Sequence, residues 1–226
     1  MTMEGTIEKA LQNGKIILKN AGIESYAIDA ELLLMHVLEK DRIYILTNPQ
    51  AQLPNEVLSI YNKTIEKRAT DTPIAYLTGH CEFYSLPFIV NENVLIPRPD
   101  TEILVDTVIN EIKKTEIVNE KEIKMLEIGI GSGCISVATA KNCEKLPVFV
   151  QAVDISEKAL ETARKNAEMN GVSHKIKFIL SDLFENVADA DFNIICSNPP
   201  YIPSGEISSL DRCVGHYEPI DRKSVV

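Results

Sequence analysis

The sequence predicts an α/β fold: a small helical bundle, a β-hairpin linker, and a parallel sheet with helices on both faces. Three observations predict it. Apolar residues recur at helical spacing over residues 1 to 79. The period then shortens through Glu82–Ile96, where β-branched and aromatic residues flank a polar Asn91-Glu92-Asn93. From Ile123 strand-like and helix-like segments alternate, the pattern of a parallel doubly wound sheet. The expected domains are therefore 1–79, 80–98 and 99–226.

In the first part, Ile7, Leu11, Ile16, Ile17 and Leu18 give one helix that stops at Ala21-Gly22, where glycine ends a helix readily. Ser25 is the expected N-cap of a second helix through Ile28, Leu32, Leu33, Met35, His36 and Leu38. Pro49 and Pro54 punctuate. Val57, Leu58, Tyr61, Ile65 and Arg68 form a third helix, and Pro73 and Gly79 bracket a short turn. Short helices joined by short loops imply a bundle.

The linker reads as one strand over Glu82–Val90 and a second over Val94–Ile96, turning at Asn91–Asn93. Pro97 and Pro99 end regular pairing, and Asp100 or Thr101 caps a helix through Ile103, Leu104, Val108 and Ile112. Strands are expected at Ile123–Ile128, Val148–Val153, Ile176–Leu180 and Phe192–Cys196. Helices start near Cys134 and Ser156, the second closing at Asn170-Gly171.

Composition narrows the function. Five widely spaced cysteines without a C-x-x-C pair, and four scattered histidines, argue against a disulfide framework and a metal site. The formal charge of −10, with Lys and Arg interspersed among Asp and Glu, lowers a nucleic-acid reading. No run is apolar enough to span a membrane, and Met1–Ala10 has no apolar leader. The expected protein is a cytoplasmic monomer without membrane or direct nucleic-acid contact.

Glu127-Ile128-Gly129-Ile130-Gly131-Ser132-Gly133 is a strand entering a glycine turn and then a helix. Such a turn lets the backbone approach a ligand and leaves free N–H groups at the helix start. Taken alone it is no more than a tight strand-to-helix turn. Asp154 closes the next strand, 21 residues after Gly133. A carboxylate there can accept ribose hydroxyls, although it could equally cap the following helix. Asp182 and Leu183 follow the third strand, where an adenine ring would lie; a plain polar loop is the alternative. All three elements fall at the carboxyl edge of the sheet, where ligands of open α/β folds bind, and together they point to an adenosine-bearing cofactor.

The fourth strand runs into Asn198-Pro199-Pro200-Tyr201. Two prolines stiffen the loop and remove two donors. What remains are acceptors, the Asn198 side-chain oxygen and the Pro199 carbonyl, suited to a planar N–H₂, with Tyr201 placed to stack on it.

These residues, together with Pro97-Arg98-Pro99-Asp100-Thr101-Glu102, resemble the release factor glutamine methyltransferases, the HemK/PrmC family, over nearly the whole chain. The resemblance implies a Rossmann-like class I methyltransferase sheet and S-adenosyl-L-methionine as cofactor. It implies N5-methylation of the glutamine in the Gly-Gly-Gln loop of peptide chain release factors, docked with help from the helical domain. It assigns Glu127, Gly129, Ile130, Gly131, Ser132, Gly133, Asp154, Asp182, Leu183 and Asn198 to the cofactor. Asn198, Pro199, Pro200 and Tyr201 carry catalysis and, with Pro97 and Arg98, the substrate. Leu183 stands where relatives often have an aromatic residue. The rival readings are a ribosomal-protein glutamine methyltransferase, an N6-adenine nucleic-acid methyltransferase, and a protein that binds without turnover.

The end departs from the family. Relatives continue past Glu218-Pro219 with a helix and three strands, whereas this chain reads Ile220-Asp221-Arg222-Lys223-Ser224-Val225-Val226. A common sequencing adapter encodes the last six residues in one frame. The expectation is a truncated chain with a non-native tail, its fourth strand an exposed edge, weakly stable, and weakly active or inactive.

Overall fold

The computed structural model describes residues 5–119, 122–188, 191–199, 202–203 and 224–225. It divides into two units, Met1–Thr78 and Gly79–Val226, each with its own core.

The first unit runs β1 (Gly5–Thr6), α1 (Ile7–Asn20), α2 (Tyr26–Leu38), α3 (Arg42–Thr47), β2 (Gln52–Leu53), α4 (Asn55–Ala69) and α5 (Ile74–Thr78). Thr6 caps α1 by accepting from the Lys9 N–H, and the helix ends as expected at Ala21-Gly22, with Gly22 at φ +84°. Its core joins Ile7, Leu18, Leu33, Leu34, Tyr61 and Ile65. Gly14 leaves room for the Tyr61 hydroxyl, which donates to the Ala30 carbonyl at 3.2 Å; a Cβ at Gly14 would overlap that oxygen.

Two expectations change in this unit. Ser25 sits at the N-cap of α2 but makes no side-chain cap; its hydroxyl donates to Asp29 instead, at 2.8 Å. Asp29 is buried and also receives Arg68 Nε at 2.7 Å, so the hydroxyl serves a buried ion pair. Helix α3 is not expected from the sequence. At six residues it is too short to show a period, and what specifies it is Asp41, whose carboxylate accepts from the Tyr44 N–H.

The second unit runs β3 (His80–Phe83), β4 (Leu86–Ile89), α6 (Thr101–Asn119), β5 (Ile123–Ile128), α7 (Cys134–Asn142), β6 (Val148–Asp154), α8 (Glu157–Met169), β7 (Ile176–Leu180), β8 (Ile194–Ser197), β9 (Ile202–Pro203) and β10 (Ser224–Val225). The main sheet is parallel, in the order β7-β6-β5-β8, and β9 pairs with β10. The chain leaves β5 toward β6 and β7, then returns to the other side of β5 as β8. That reversal puts a crevice at the carboxyl ends of β5 and β8. Helix α7 is buried from Cys134 to Ala140, including Ser136, whose N–H and hydroxyl are both taken by Glu127. β8 begins at Ile194 rather than Phe192 because Asn193 exchanges two hydrogen bonds with Lys124 before the ladder starts.

The hairpin is a correction. It pairs His80–Phe83 with Leu86–Ile89 and turns at Tyr84-Ser85, while Val94–Ile96 is not a strand. Both turn residues have positive φ, 52° and 57°, the geometry of the primed two-residue turns that match strand twist. Tyr-Ser carries no such signal. Tertiary bonds hold it: the Tyr84 N–H donates to Glu102 at 2.8 Å, and the Tyr84 hydroxyl donates to Asp106 at 2.5 Å. Asn91–Asn93 does turn, closed by the Val94 N–H donating to the Asn91 carbonyl and the Asn93 N–H to the Asn91 side chain, but no second strand follows it.

Helix α8 closes the free edge of β4. Asn170 Nδ2 donates to the Pro87 carbonyl. Asn166 pairs with both backbone groups of Ile89, and Thr162 accepts from Asn91. A helix brings side chains at i, i+4 and i+8 to one stripe, and that rise of about 6 Å matches two residues of strand. The stripe is buried.

Candidate active site

At the carboxyl edge a cavity of about 230 Å³ opens, lined by residues from five loops. Leu95, Pro97, Arg98 and Thr101 form one wall, and Glu127 to Ser132 the floor. Asp154 and Ile155, then Asp182 and Leu183, form the far side, and Ser197 to Pro199 the remaining wall.

The floor follows from its glycines. Gly129, Gly131 and Gly133 have φ of +73°, +57° and +84°, a region closed to most side chains. A Cβ at Gly129 would meet nothing within 4 Å, whereas one at Gly133 would meet the Cβ of Ala163 at 3.1 Å. Gly129 therefore leaves space, and Gly133 lets α7 lie close to α8. Gly133 does not line the cavity. The turn is braced by Asp154, whose two carboxylate oxygens accept from the Gly131 N–H at 3.0 Å and the Ser156 N–H at 2.9 Å. Asp154 is 3% exposed, and Ser156 is the residue whose side chain caps α8. Asn166, fully buried, donates to the Ser132 carbonyl at 2.8 Å and so ties the turn to the hairpin.

Glu127 lies at the base, 1% exposed, and one of its oxygens accepts both the N–H and the hydroxyl of Ser136. Burial pushes its carboxyl up to about 8, against the two Ser136 bonds that favour the anion; the nearby Asp154 charge adds to the rise. Cys134, also lining the cavity, is pushed up to about 12, chiefly by burial and then by Glu127. It stays a thiol and is no nucleophile at neutral pH.

On the far side Asp182 is exposed. Leu183 is held at φ +45° with its side chain 58% exposed, and Ile155 is 66% exposed. Two apolar side chains are thus presented to the cavity from the loops after β7 and β6. Ile155 is a residue that the sequence reading passed over, although it directly follows Asp154.

On the remaining wall the Ser197 hydroxyl donates to the Ile128 carbonyl at 2.8 Å, fastening the loop to the end of β5. Asn198 Nδ2 donates to Thr101 Oγ1 at 3.1 Å. Its Oδ1 has no hydrogen-bond partner among the described residues. Pro199 lines the cavity; Pro200 and Tyr201 lie outside the described residues. The Pro97–Glu102 element divides its labour. Pro97 and Arg98 line the cavity, Thr101 meets Asn198, and Glu102 holds the hairpin turn. Thr101 thus spends its hydroxyl on Asn198 rather than on a helix cap. Among the described residues no cluster of three metal-ligating side chains occurs, and no helix is long and apolar enough to cross a membrane.

A glycine turn after the first parallel strand, a buried acid after the second and an Asn-Pro loop after the fourth, around one cavity, define a Rossmann-like class I methyltransferase domain. Residues 9–79 match the PrmC N-terminal domain, and residues 101–210 the methyltransferase small domain. Release factor glutamine methyltransferases of Rhodopirellula baltica and Clostridium botulinum are 38% and 37% identical to this chain over 95% of its length and 72% and 74% of theirs. The chain belongs to the release factor glutamine methyltransferase family. It is also 37% identical to a bifunctional methyltransferase of Rickettsia bellii over 96% of its own length, of which it spans 42%. Among solved structures, the hMettl16 catalytic domain aligns with a TM-score of 0.49 at 18% identity, covering 72% of this chain and 57% of that one.

Proposed function

We propose that the domain transfers a methyl group from S-adenosyl-L-methionine to the side-chain nitrogen of the glutamine in the Gly-Gly-Gln loop of peptide chain release factors. The observation that carries this reading is the pairing, across one cavity, of the Asn198-Pro199 acceptors with the glycine turn. The names of the relatives supply the substrate class.

The residues present suit the cofactor. The N–H groups of Gly129, Ile130, Gly131 and Gly133 are donated within the protein, so what the glycine turn offers a polar chain is its open floor; the buried Asp154 suits a ribose, and Ile155 and Leu183 suit the two faces of an adenine ring. When bound, S-adenosyl-L-methionine supplies an electrophilic methyl group on a cationic sulfur. Asn198 Oδ1 and the Pro199 carbonyl then accept the two N–H bonds of the glutamine amide. An amide nitrogen is a weak nucleophile because its lone pair is delocalised into the carbonyl. Accepting both N–H bonds returns electron density to nitrogen and fixes its line of approach. Positioning is the main contribution, and no covalent enzyme intermediate is required. As nitrogen gains a methyl it loses one proton, which passes to solvent through an accepting carbonyl.

The test incubates the 226-residue chain with methyl-labelled cofactor and, in parallel, a release factor, a ribosomal protein or DNA. The expected result is low but reproducible labelling of the release factor alone, lost in Asn198→Ala and with a Gln→Ala release factor. Labelling of DNA or ribosomal protein in its place refutes the proposal.

A further inference from the structure

We infer that Thr101 is a positioning residue for methyl transfer: its hydroxyl holds the Asn198 amide with nitrogen turned away and oxygen facing the substrate. The inference rests on the reading of Asn198 as an amide grip.

An asparagine amide has a donor end and an acceptor end that exchange by a half-turn about χ2, a torsion with broad, roughly two-fold preferences. A grip on a substrate N–H₂ works only with the oxygen forward. With the nitrogen forward, two donors would face each other. Among the described residues it is Thr101 that meets this amide, at its nitrogen end. Its Oγ1 lies 3.1 Å from Asn198 Nδ2, a contact between residues 97 apart in the chain. One of the two amide N–H groups is thereby engaged, and Oδ1 is left without a hydrogen-bond partner among the described residues.

Thr101 is itself fastened in place by burial and a backbone bond. It is 8% exposed, opens α6, and its N–H donates to the Arg98 carbonyl at 3.0 Å. The next residue, Glu102, is fastened to the hairpin turn through the Tyr84 N–H. Ser197 fixes the backbone of the same loop from the opposite side. Serine thus sets where Asn198 stands, and threonine sets which end it presents. A threonine hydroxyl can accept or donate, and here it accepts, the sense that leaves the amide oxygen forward. Valine keeps the shape and removes both options, which makes it the discriminating substitution.

The experiment compares wild type, Thr101→Val and Thr101→Ser in single-turnover methylation of a release factor, with cofactor affinity by calorimetry and a thermal melt. In Thr101→Val the methyl-transfer rate should fall about 100-fold, the scale of a small misplacement at a reacting centre. Cofactor affinity should change less than about twofold and the melting temperature by only about 2–4 °C, the scale of one lost hydrogen bond, and Thr101→Ser should recover most of the rate. The Asn198 side-chain amide signal, assigned by its loss in Asn198→Asp, should shift and exchange faster with water in Thr101→Val only. A Thr101→Val enzyme as fast as wild type overturns the inference, as does a Thr101→Ser enzyme no better than valine. If wild type labels no release factor yet the amide signal moves in Thr101→Val, the proposed function falls and the Thr101–Asn198 coupling stands.

Discussion

Asn166→Ala isolates the largest single contribution to the braced site. The amide is fully buried and saturated: Nδ2 donates to the Ile89 carbonyl at 2.9 Å and the Ser132 carbonyl at 2.8 Å, and Oδ1 accepts from the Ile89 N–H at 2.6 Å. Alanine orphans three backbone groups. The Ser132 carbonyl belongs to a buried residue and carries a full penalty of about 1–3 kcal/mol. Ile89 is half-exposed on an edge strand, so water re-enters there and each lost bond costs only its net value of about 1 kcal/mol. The total is about 3–5 kcal/mol before the small void is counted. Asn170→Ala, which frees the Pro87 carbonyl of a single bond from another element, should cost about 1–2 kcal/mol. Urea unfolding followed by circular dichroism measures both, with cofactor affinity measured in parallel, because Ser132 belongs to the glycine turn. Asn166→Ala within 1 kcal/mol of wild type, or an affinity left intact, would show that the α8 stripe is not what holds the turn.

Glu127→Gln probes the buried carboxyl. Its folded value of about 8 lies above the ordinary 4.5, so the folded state holds the proton longer than the unfolded chain. Wild-type stability should therefore fall as pH rises from about 4.5 to 8, by an amount on the order of 5 kcal/mol over the window. Both Ser136 bonds fall on one oxygen, which Gln reproduces, so the variant should lose this slope; parallel melting curves between pH 5 and 9 would contradict the assignment. Gly133→Ala meets both a positive φ and Ala163 at 3.1 Å, and should destabilise by about 2–4 kcal/mol. Gly129→Ala meets only the backbone strain, about 1–2 kcal/mol, but fills cavity space. It should weaken cofactor binding more than stability, and a reversed ranking of the two glycines would refute their assigned roles. In the first unit, Asp29→Ala leaves the half-buried Arg68 without its carboxylate, though still bonded to the Thr72 carbonyl, and should cost about 3 kcal/mol, the low end for a broken buried pair, in the same urea experiment.

Much of the site is legible in the sequence because its specification is local. A glycine at positive φ, an acid ending a strand and a proline-stiffened loop each announce themselves within a few residues, and the alternation from Ile123 fixes their common edge. What escapes is specified by distant partners. The hairpin turns at Tyr84-Ser85, against local propensity, because Glu102 and Asp106 meet it, while Asn91-Glu92-Asn93 offers a better turn signal and does turn, but joins no pair of strands. Thr101 reads as a helix cap until Asn198 is seen beside it, and Ser25 reads as one until Asp29 is. Asn166 sits on a helix whose amphipathic pattern assigns it to the buried face without saying that a strand edge lies there. Ile155 is hidden by its neighbours: an apolar residue after Asp154 looks like the end of a strand. Asp154, read as a ribose ligand, is also the brace of the glycine turn, because two backbone N–H groups converge on it.

The central claim is that Asn198 and Pro199 present a glutamine amide to the cofactor held over the glycine turn. Its most direct test is tandem mass spectrometry of a release factor incubated with this chain and S-adenosyl-L-methionine. The account predicts one added methyl group, on the side-chain nitrogen of the glutamine in the Gly-Gly-Gln loop, absent when Asn198 is alanine. A methyl group on any other residue, or on that glutamine undiminished by Asn198→Ala, contradicts it.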